Sequence, residues 1–174
     1  MFNVSKPKII ILDDDHYPEG RVSDKLMPEF NYRHLNIEVK HYLTFDSLSK
    51  AINRGDVTKS DLIVLDSTLD DEPDGHRLEF GQTVPALLDM GIKPKYLMPG
   101  SGGRTGAQNN RVFEEIIERR GRQMDWQQMD LSGLGLSGNP LTVADKILGY
   151  FQELNPNTKI EHEYSGVTES IPRR

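Results

Sequence analysis

Three aspartates stand directly behind two apolar runs of the chain. Asp13 and Asp14 follow the run KIIIL, and Asp66 follows the run DLIVL. Acids that end neighbouring parallel strands meet at one edge of a sheet, so these carboxylates are expected to crowd a small volume. Three such charges repel unless a cation joins them, and oxygen ligands with water suit Mg²⁺. The sequence therefore predicts a magnesium site, whereas Asp15 is interpreted as a turn former or helix cap.

The elements that must position these acids alternate between strands and helices. Strands are indicated by continuous apolar and β-branched runs, and helices by apolar residues at helical spacing. The predicted strands are residues 8–12, 37–42, 61–65, 95–98 and, with the weakest pattern, 123–129; the predicted helices are residues 18–30, 44–54, 77–90, 111–120 and 141–154. This alternation predicts an α/β fold with a doubly wound parallel sheet.

Composition narrows the class of protein. The 174 residues fit one domain, predicted over residues 1–154, with residues 155–174 as a tail that is partly ordered or adds an edge strand. Cysteine is absent, which excludes thiol nucleophiles and cysteine-ligated metals. The formal net charge of -6 argues against direct nucleic-acid binding. The N-terminal apolar run is too short for a signal peptide or membrane span, so a cytoplasmic location without membrane association is expected.

Three successive motifs resemble the receiver domain of bacterial response regulators. They are KIIILDD at residues 8–14, DLIVLDSTL at residues 61–69 and the Asp-Gly pair at residues 74–75. The resemblance extends over about residues 6–154. It implies a flavodoxin-like sheet of five parallel strands in the order 2-1-3-4-5 with helices on both faces. It also implies that the Asp-Gly pair forms the turn that opens the third helix.

The same resemblance implies roles for the acids. Asp66 is expected to accept a phosphoryl group from a histidine kinase or a phosphotransfer protein, and the product is expected to signal through a downstream protein partner. Asp13 and Asp14 are expected to bind Mg²⁺ with Asp66, and the backbone carbonyl of Thr68 to complete the metal shell. Phosphoryl transfer needs positioning and charge neutralisation more than a strong nucleophile, so a carboxylate acceptor is chemically reasonable.

The sequence departs from the receiver pattern after the fourth strand. Ser101 is the candidate for the hydroxyl residue that receivers place there, and Trp126 for the aromatic residue of the fifth strand. Met129 stands where the resemblance requires a lysine, and Lys95 and Arg104 are the candidate replacement cations. A lost charge-assisted contact of this kind is worth about 1.5 to 3 kcal/mol. The switch is therefore expected to be weakened.

Two further segments flank the predicted site. Residues 70–74 carry four acids, which raise the negative potential beside the site. The alternative interpretation of this segment is a solvated acidic loop. Residues 99–106 are rich in glycine and form either a lid over the acids or a plain flexible connection. His16, next to the acids, is a weaker candidate ligand or proton donor than Asp66.

Three functions remain open from the sequence. The first is a stand-alone receiver-like signalling domain of a two-component phosphorelay, a phosphoacceptor rather than an enzyme that turns over. The second is a degenerate pseudo-receiver that binds proteins without phosphorylation. The third is a phosphatase of the haloacid-dehalogenase type, in which Asp13 and Asp15 would be the paired aspartates. It lacks the hydroxyl residue expected shortly after Asp15.

Overall fold

The strands form two separate sheets. The computed structural model describes residues 6–14, 29–30, 35–70, 72–100, 106–120 and 140–161. In these residues a parallel sheet has the order β2-β1-β3-β6, and β4 and β5 form a small antiparallel pair. The strands are β1 (Ile9–Leu12), β2 (Val39–Tyr42), β3 (Leu62–Leu65), β4 (Thr68–Leu69), β5 (Leu78–Glu79) and β6 (Leu97–Pro99).

Four helices accompany the sheets in the described part of the chain. They are α1 (Phe45–Arg54), α2 (Phe80–Asp89), α3 (Gly106–Arg119) and α4 (Pro140–Leu154), and a short 3₁₀ helix, Pro94–Tyr96, leads into β6. The protein is thus an α/β fold around a parallel sheet of four described strands. None of the described helices is long and apolar enough to cross a membrane.

The core lies along β1 and β3. Every side chain of these two strands is buried, which explains their continuous apolar sequences, since a central parallel strand is covered on both faces. The two strands pair in register from Ile9 with Leu62 to Leu12 with Leu65. β2 lies on the other side of β1 and is half-buried throughout. β2 lies on one side of β1, and the later strands β3 and β6 lie on the other side. The strand order therefore reverses at β1, and the gap between β1 and β3 is the topological switch point.

Side chains fix where α1 and α2 begin. Thr44 Oγ1 accepts a hydrogen bond from the Ser47 amide at 3.1 Å, as an N-cap should. The side chain of Gln82 accepts from the amide of Glu79 at 2.9 Å and so starts α2 three residues later than the sequence pattern predicts. The rings of Phe80 and Phe113 then pack edge-to-face at 5.6 Å and join α2 to α3.

The predicted strands at residues 8–12, 37–42 and 61–65 are confirmed as β1, β2 and β3. The strand predicted at residues 95–98 is confirmed only in its last two residues, because Lys95 and Tyr96 belong to the 3₁₀ helix and β6 begins at Leu97. The fifth strand, predicted at residues 123–129, lies outside the described residues, as do all but the last two residues of the predicted helix at 18–30. The β4–β5 pair is not anticipated by any sequence pattern.

The start of the tail lies against the edge of the sheet. The side chain of Asn36 donates to the carbonyl of Lys159 at 2.8 Å and accepts from the amide of Glu161 at 3.0 Å. Ile160 packs on the core. Residues 155–161 contain no strand, and the later part of the tail lies outside the described residues. The first part of the tail is therefore ordered by side-chain contacts, not by strand pairing.

Candidate metal centre

The structure brings the three predicted acids together at the switch point. Asp13 and Asp14 follow β1 and Asp66 follows β3, and one carboxylate oxygen from each lies within 4.8 Å of those of the other two. Backbone hydrogen bonds hold the strand ends level. The Asp66 amide donates to the Leu12 carbonyl at 2.9 Å, and the Asp13 amide donates to the Tyr42 carbonyl at 3.1 Å. The sheet itself therefore sets the spacing of these carboxylates.

The acids are largely removed from solvent. Asp13 is 4% exposed and Asp14 is 6% exposed, whereas Asp66 is half-buried. Buried charges that repel one another are costly unless they are compensated. The cluster thus consists of two buried residues and one that is more open to solvent.

Neighbouring groups orient the acids. Asp66 Oδ1 accepts from the Ser67 amide at 2.6 Å, and Asp14 Oδ2 accepts from the Asp70 amide. The ring of His41, on β2, contacts the backbone carbonyl of Asp13 through Nε2 at 2.7 Å. A carbonyl only accepts, so in this contact Nε2 carries the proton.

The cluster has the chemistry that Mg²⁺ requires. Its donors are carboxylate oxygens, the ligand type that Mg²⁺ prefers. One oxygen from each acid already lies within 4.8 Å of the other two, so the three acids could share one ion. A divalent cation would also offset most of the charge of the three acids. The residues present therefore fit the predicted ion.

Thr68 is held in the β4–β5 pair, opposite Glu79. It stands two residues after Asp66, so the backbone that leads away from the acceptor is fixed by this pairing. The expectation that the Thr68 carbonyl joins the metal shell stays a prediction. β5 also separates the Asp-Gly turn from α2. The turn therefore does not open the helix directly, which differs from what the receiver resemblance implies.

Gly100 follows Pro99, which pairs with Leu65, and its amide donates to the Leu65 carbonyl at 2.6 Å. The residue level with Asp66 on the neighbouring strand is therefore Gly100. A Cβ atom built there would lie 2.9 Å from Cγ1 of Val64 and 3.4 Å from the Leu65 carbonyl oxygen. This close approach favours glycine beside the acids. The predicted hydroxyl residue, Ser101, lies outside the described residues.

Lys95 and Arg104 are the candidate replacements for the lysine that the receiver resemblance implies. Lys95 lies in the 3₁₀ helix before β6, with its Nζ 5.3 Å from the centre of the Tyr96 ring. Leu97, further along, pairs with Ile63, which is three residues and about 10 Å from Asp66 along the strand. Lys95 therefore belongs to the opposite end of the sheet and is not a replacement cation. Arg104, Trp126, Met129, His16 and Asp15 all lie outside the described residues.

Glu72 is the residue near the site that the sequence did not single out. It is only 9% exposed, and its carboxylate accepts from the amides of Phe45 at 2.5 Å and Asp46 at 3.2 Å. These are the first two amides of α1, where donors lack partners within the helix. The interpretation of residues 70–74 as a solvated acidic loop is therefore wrong for Glu72. The contact spans 26 and 27 residues, so no local signal could reveal it.

Asp70 and Asp74, in the same loop, face solvent. Asp70 is exposed, with its carboxylate 3.6 Å from Arg77. Asp74 accepts from the amide of His76 at 3.0 Å, and that bond, followed by the contact with the His76 ring, lowers the pKa of Asp74 below its ordinary value of 3.8. Gly75, in between, has a φ of +75°, a conformation that favours glycine. The Asp-Gly pair thus forms a tight turn at the surface.

Comparison with known proteins adds no relative. No family model, curated protein or solved structure matches this chain.

Proposed function

We propose that this protein is a receiver-like signalling domain in which Asp66 accepts a phosphoryl group with the help of Mg²⁺ held by Asp13, Asp14 and Asp66. The observation that carries the proposal is the convergence of these three carboxylates within 4.8 Å at the switch point of a parallel sheet. The proposal includes a fifth parallel strand at residues 123–129, which would extend the order 2-1-3-6 beyond β6 and complete the receiver sheet.

The reaction is a transfer between a phosphodonor and the acceptor carboxylate. An oxygen of Asp66 attacks phosphorus, the bond from phosphorus to the leaving group breaks with its electrons on the leaving group, and an acyl phosphate forms on Asp66. The Ser67 amide orients the acceptor by holding Oδ1. When bound, Mg²⁺ neutralises charge on the phosphoryl oxygens and the donor. Asp13 and Asp14 contribute by holding the cation from the shielded side of the cluster.

The partners follow from the same chemistry. The donor would be a histidine kinase or a phosphotransfer protein, and the phosphorylated form would act on a downstream protein in the cytoplasm. The domain would transfer one phosphoryl group per event and would not act as a turnover enzyme. Neither direct binding of nucleic acid nor attachment to a membrane is part of the proposal.

Phosphorylation can be tested with a small donor. The full chain is incubated with acetyl phosphate and Mg²⁺, and its intact mass is compared with that of Asp66→Asn and of Asp74→Asn, which removes the same charge from the nearby surface. A phosphoryl adduct that needs Mg²⁺, persists in Asp74→Asn and disappears in Asp66→Asn supports the proposal. An adduct that survives in Asp66→Asn refutes Asp66 as the acceptor.

A second candidate is a pseudo-receiver that binds a partner without phosphorylation. The observation in its favour is Gly100, which offers no hydroxyl group level with Asp66, together with Met129 in place of the lysine. When the experiment is repeated with beryllofluoride in place of acetyl phosphate, a chain that binds Mg²⁺ but acquires neither group supports this candidate over the first.

A further inference from the structure

We propose that Glu72 is a positioning residue for the acidic cluster and acts on Asp14 through the amide of Asp70. The inference rests on the part of the proposed function in which Asp13, Asp14 and Asp66 bind a divalent cation. It concerns how the site is kept in shape, and it assigns Glu72 no contact with the cation.

The first step is the anchoring of Glu72 itself. Its carboxylate is buried against the first-turn amides of α1, supplied by Phe45 and Asp46. A carboxylate at the N-terminus of a helix gains charge-assisted hydrogen bonds and a favourable interaction with the helix dipole. Removing it leaves these amides without this acceptor and frees the loop from α1. Glu72 is therefore anchored, whereas Asp70 and Asp74 on either side of it are exposed.

The second step links this fixed point to the cluster. Asp70 stands two residues before Glu72, a span of at most about 7 Å of extended chain, and its amide donates to Oδ2 of Asp14. On the other side, the Gly75 amide donates to the Glu72 carbonyl at 2.9 Å and closes the loop. A displacement of Glu72 is therefore carried over to the group that orients Asp14. Groups that orient a metal ligand usually change metal affinity when they are removed.

The positioning effect of Glu72 must be distinguished from the effect of its charge. Substituting Glu72 removes one negative charge near the cluster, and loss of potential alone would also weaken cation binding. Asp74 lies in the same loop and is exposed, so Asp74→Asn shows the effect of losing an exposed loop charge without touching the anchor on α1, whereas Glu72→Gln removes the Glu72 charge and keeps one acceptor for the α1 amides. The two effects can thus be measured apart in the same loop.

The test is a titration of the full chain with Mg²⁺ by calorimetry, in the unaltered form and as Glu72→Ala, Glu72→Gln and Asp74→Asn. We expect Glu72→Ala to bind Mg²⁺ about tenfold more weakly, as is typical when a supporting group is lost. Glu72→Gln keeps one carbonyl acceptor and is expected to fall between Glu72→Ala and the unaltered chain. Asp74→Asn is expected to change affinity by less than about twofold because its charge is screened.

A second measurement follows the contact between Glu72 and α1 and does not depend on any activity of the protein. Amide resonances and hydrogen exchange of Phe45 and Asp46 are recorded with and without Mg²⁺. Coupling through Glu72 predicts that Mg²⁺ alters both amides in the unaltered chain but not in Glu72→Ala, since linked sites affect each other reciprocally. If Glu72→Ala does not fold, Glu72→Gln decides the question by the same two measurements.

The outcomes are distinct. If the unaltered chain binds no Mg²⁺, the proposed function and this inference both fall. If it binds Mg²⁺ but Glu72→Ala and Glu72→Gln match Asp74→Asn, only the positioning role of Glu72 falls. Weakened binding in the two Glu72 variants, with loss of the Mg²⁺ response at Phe45 and Asp46, establishes the role.

Discussion

Replacing the proposed acceptor by asparagine should make the metal-free protein more stable. Asp66→Asn keeps an oxygen that can accept from the Ser67 amide, but it removes the charge that faces Asp13 and Asp14. Asp66 is far from Asp13 and Asp14 in sequence, so its repulsion with them is largely a property of the folded state. Relieving it lowers the free energy of the folded protein relative to the unfolded chain.

The size of the effect follows from the spacing of the carboxylates. For two charges separated by 4.8 Å, the repulsion is about 0.9 kcal/mol at the dielectric constant of water and about 3.5 kcal/mol at an effective value of about 20. Asp66 faces two such charges, which doubles these figures to about 1.7 and about 7 kcal/mol, and because Asp66 is only half-buried the repulsion lies in the lower part of this range. Weakening of the Ser67 hydrogen bond offsets about 1 kcal/mol. We expect a net stabilisation of about 1 to 3 kcal/mol.

The assay is urea unfolding at pH 8 in EDTA and low salt, well above the ordinary pKa range of aspartate. Asp74→Asn is the control, because His76 lowers the pKa of Asp74 and so favours its ionised form in the folded protein. Mg²⁺ at about 100 times its dissociation constant should then stabilise the unaltered chain by about 2.7 kcal/mol and Asp66→Asn by much less. Equal stabilities of the two variants in EDTA, with equal gains from Mg²⁺, would refute the reasoning.

Two further substitutions test the framework around the acids by urea unfolding. Asp61, which is fully buried, accepts from the amides of Lys8 at 2.8 Å and Thr58 at 2.7 Å, so Asp61→Ala should cost about 2 to 4 kcal/mol and Asp61→Asn less; equal losses would contradict this assignment. Gly100→Ala places a methyl group 2.9 Å from Cγ1 of Val64 and should cost about 1 to 3 kcal/mol, unless Val64→Ala in the same chain relieves the clash.

The parallel sheet is the part of the fold that the sequence predicts best. β1 and β3 are buried on both faces, so their continuous apolar runs mark them plainly. The acids at their ends follow from the same runs, because strand ends in a parallel sheet share an edge. The site could be predicted to this extent because its spacing is set by strand register, which the apolar pattern encodes.

What the sequence could not predict depends on contacts between distant residues. β4 and β5 have two residues each, too few for any periodicity, and they appear only as a pair. Glu72 resembles its exposed neighbours in sequence, and only the fold brings it to the first turn of α1. The position of Lys95 at the far end of the sheet likewise depends on where β6 begins, two residues later than the apolar pattern predicts.

Strand register and contacts between distant residues determine different parts of the proposed function. In the proposed function, cation binding would depend on three carboxylates whose spacing is fixed by the register of β1 and β3, so apart from the Glu72 anchor it should tolerate changes elsewhere in the chain. Readout of a phosphoryl group depends on what stands beside Asp66, and there the sheet presents Gly100. Under the proposed function, cation binding therefore does not require the residues that would read out a phosphoryl group. Cation affinity and phosphoryl acceptance therefore need separate measurement, because success in the first does not establish the second.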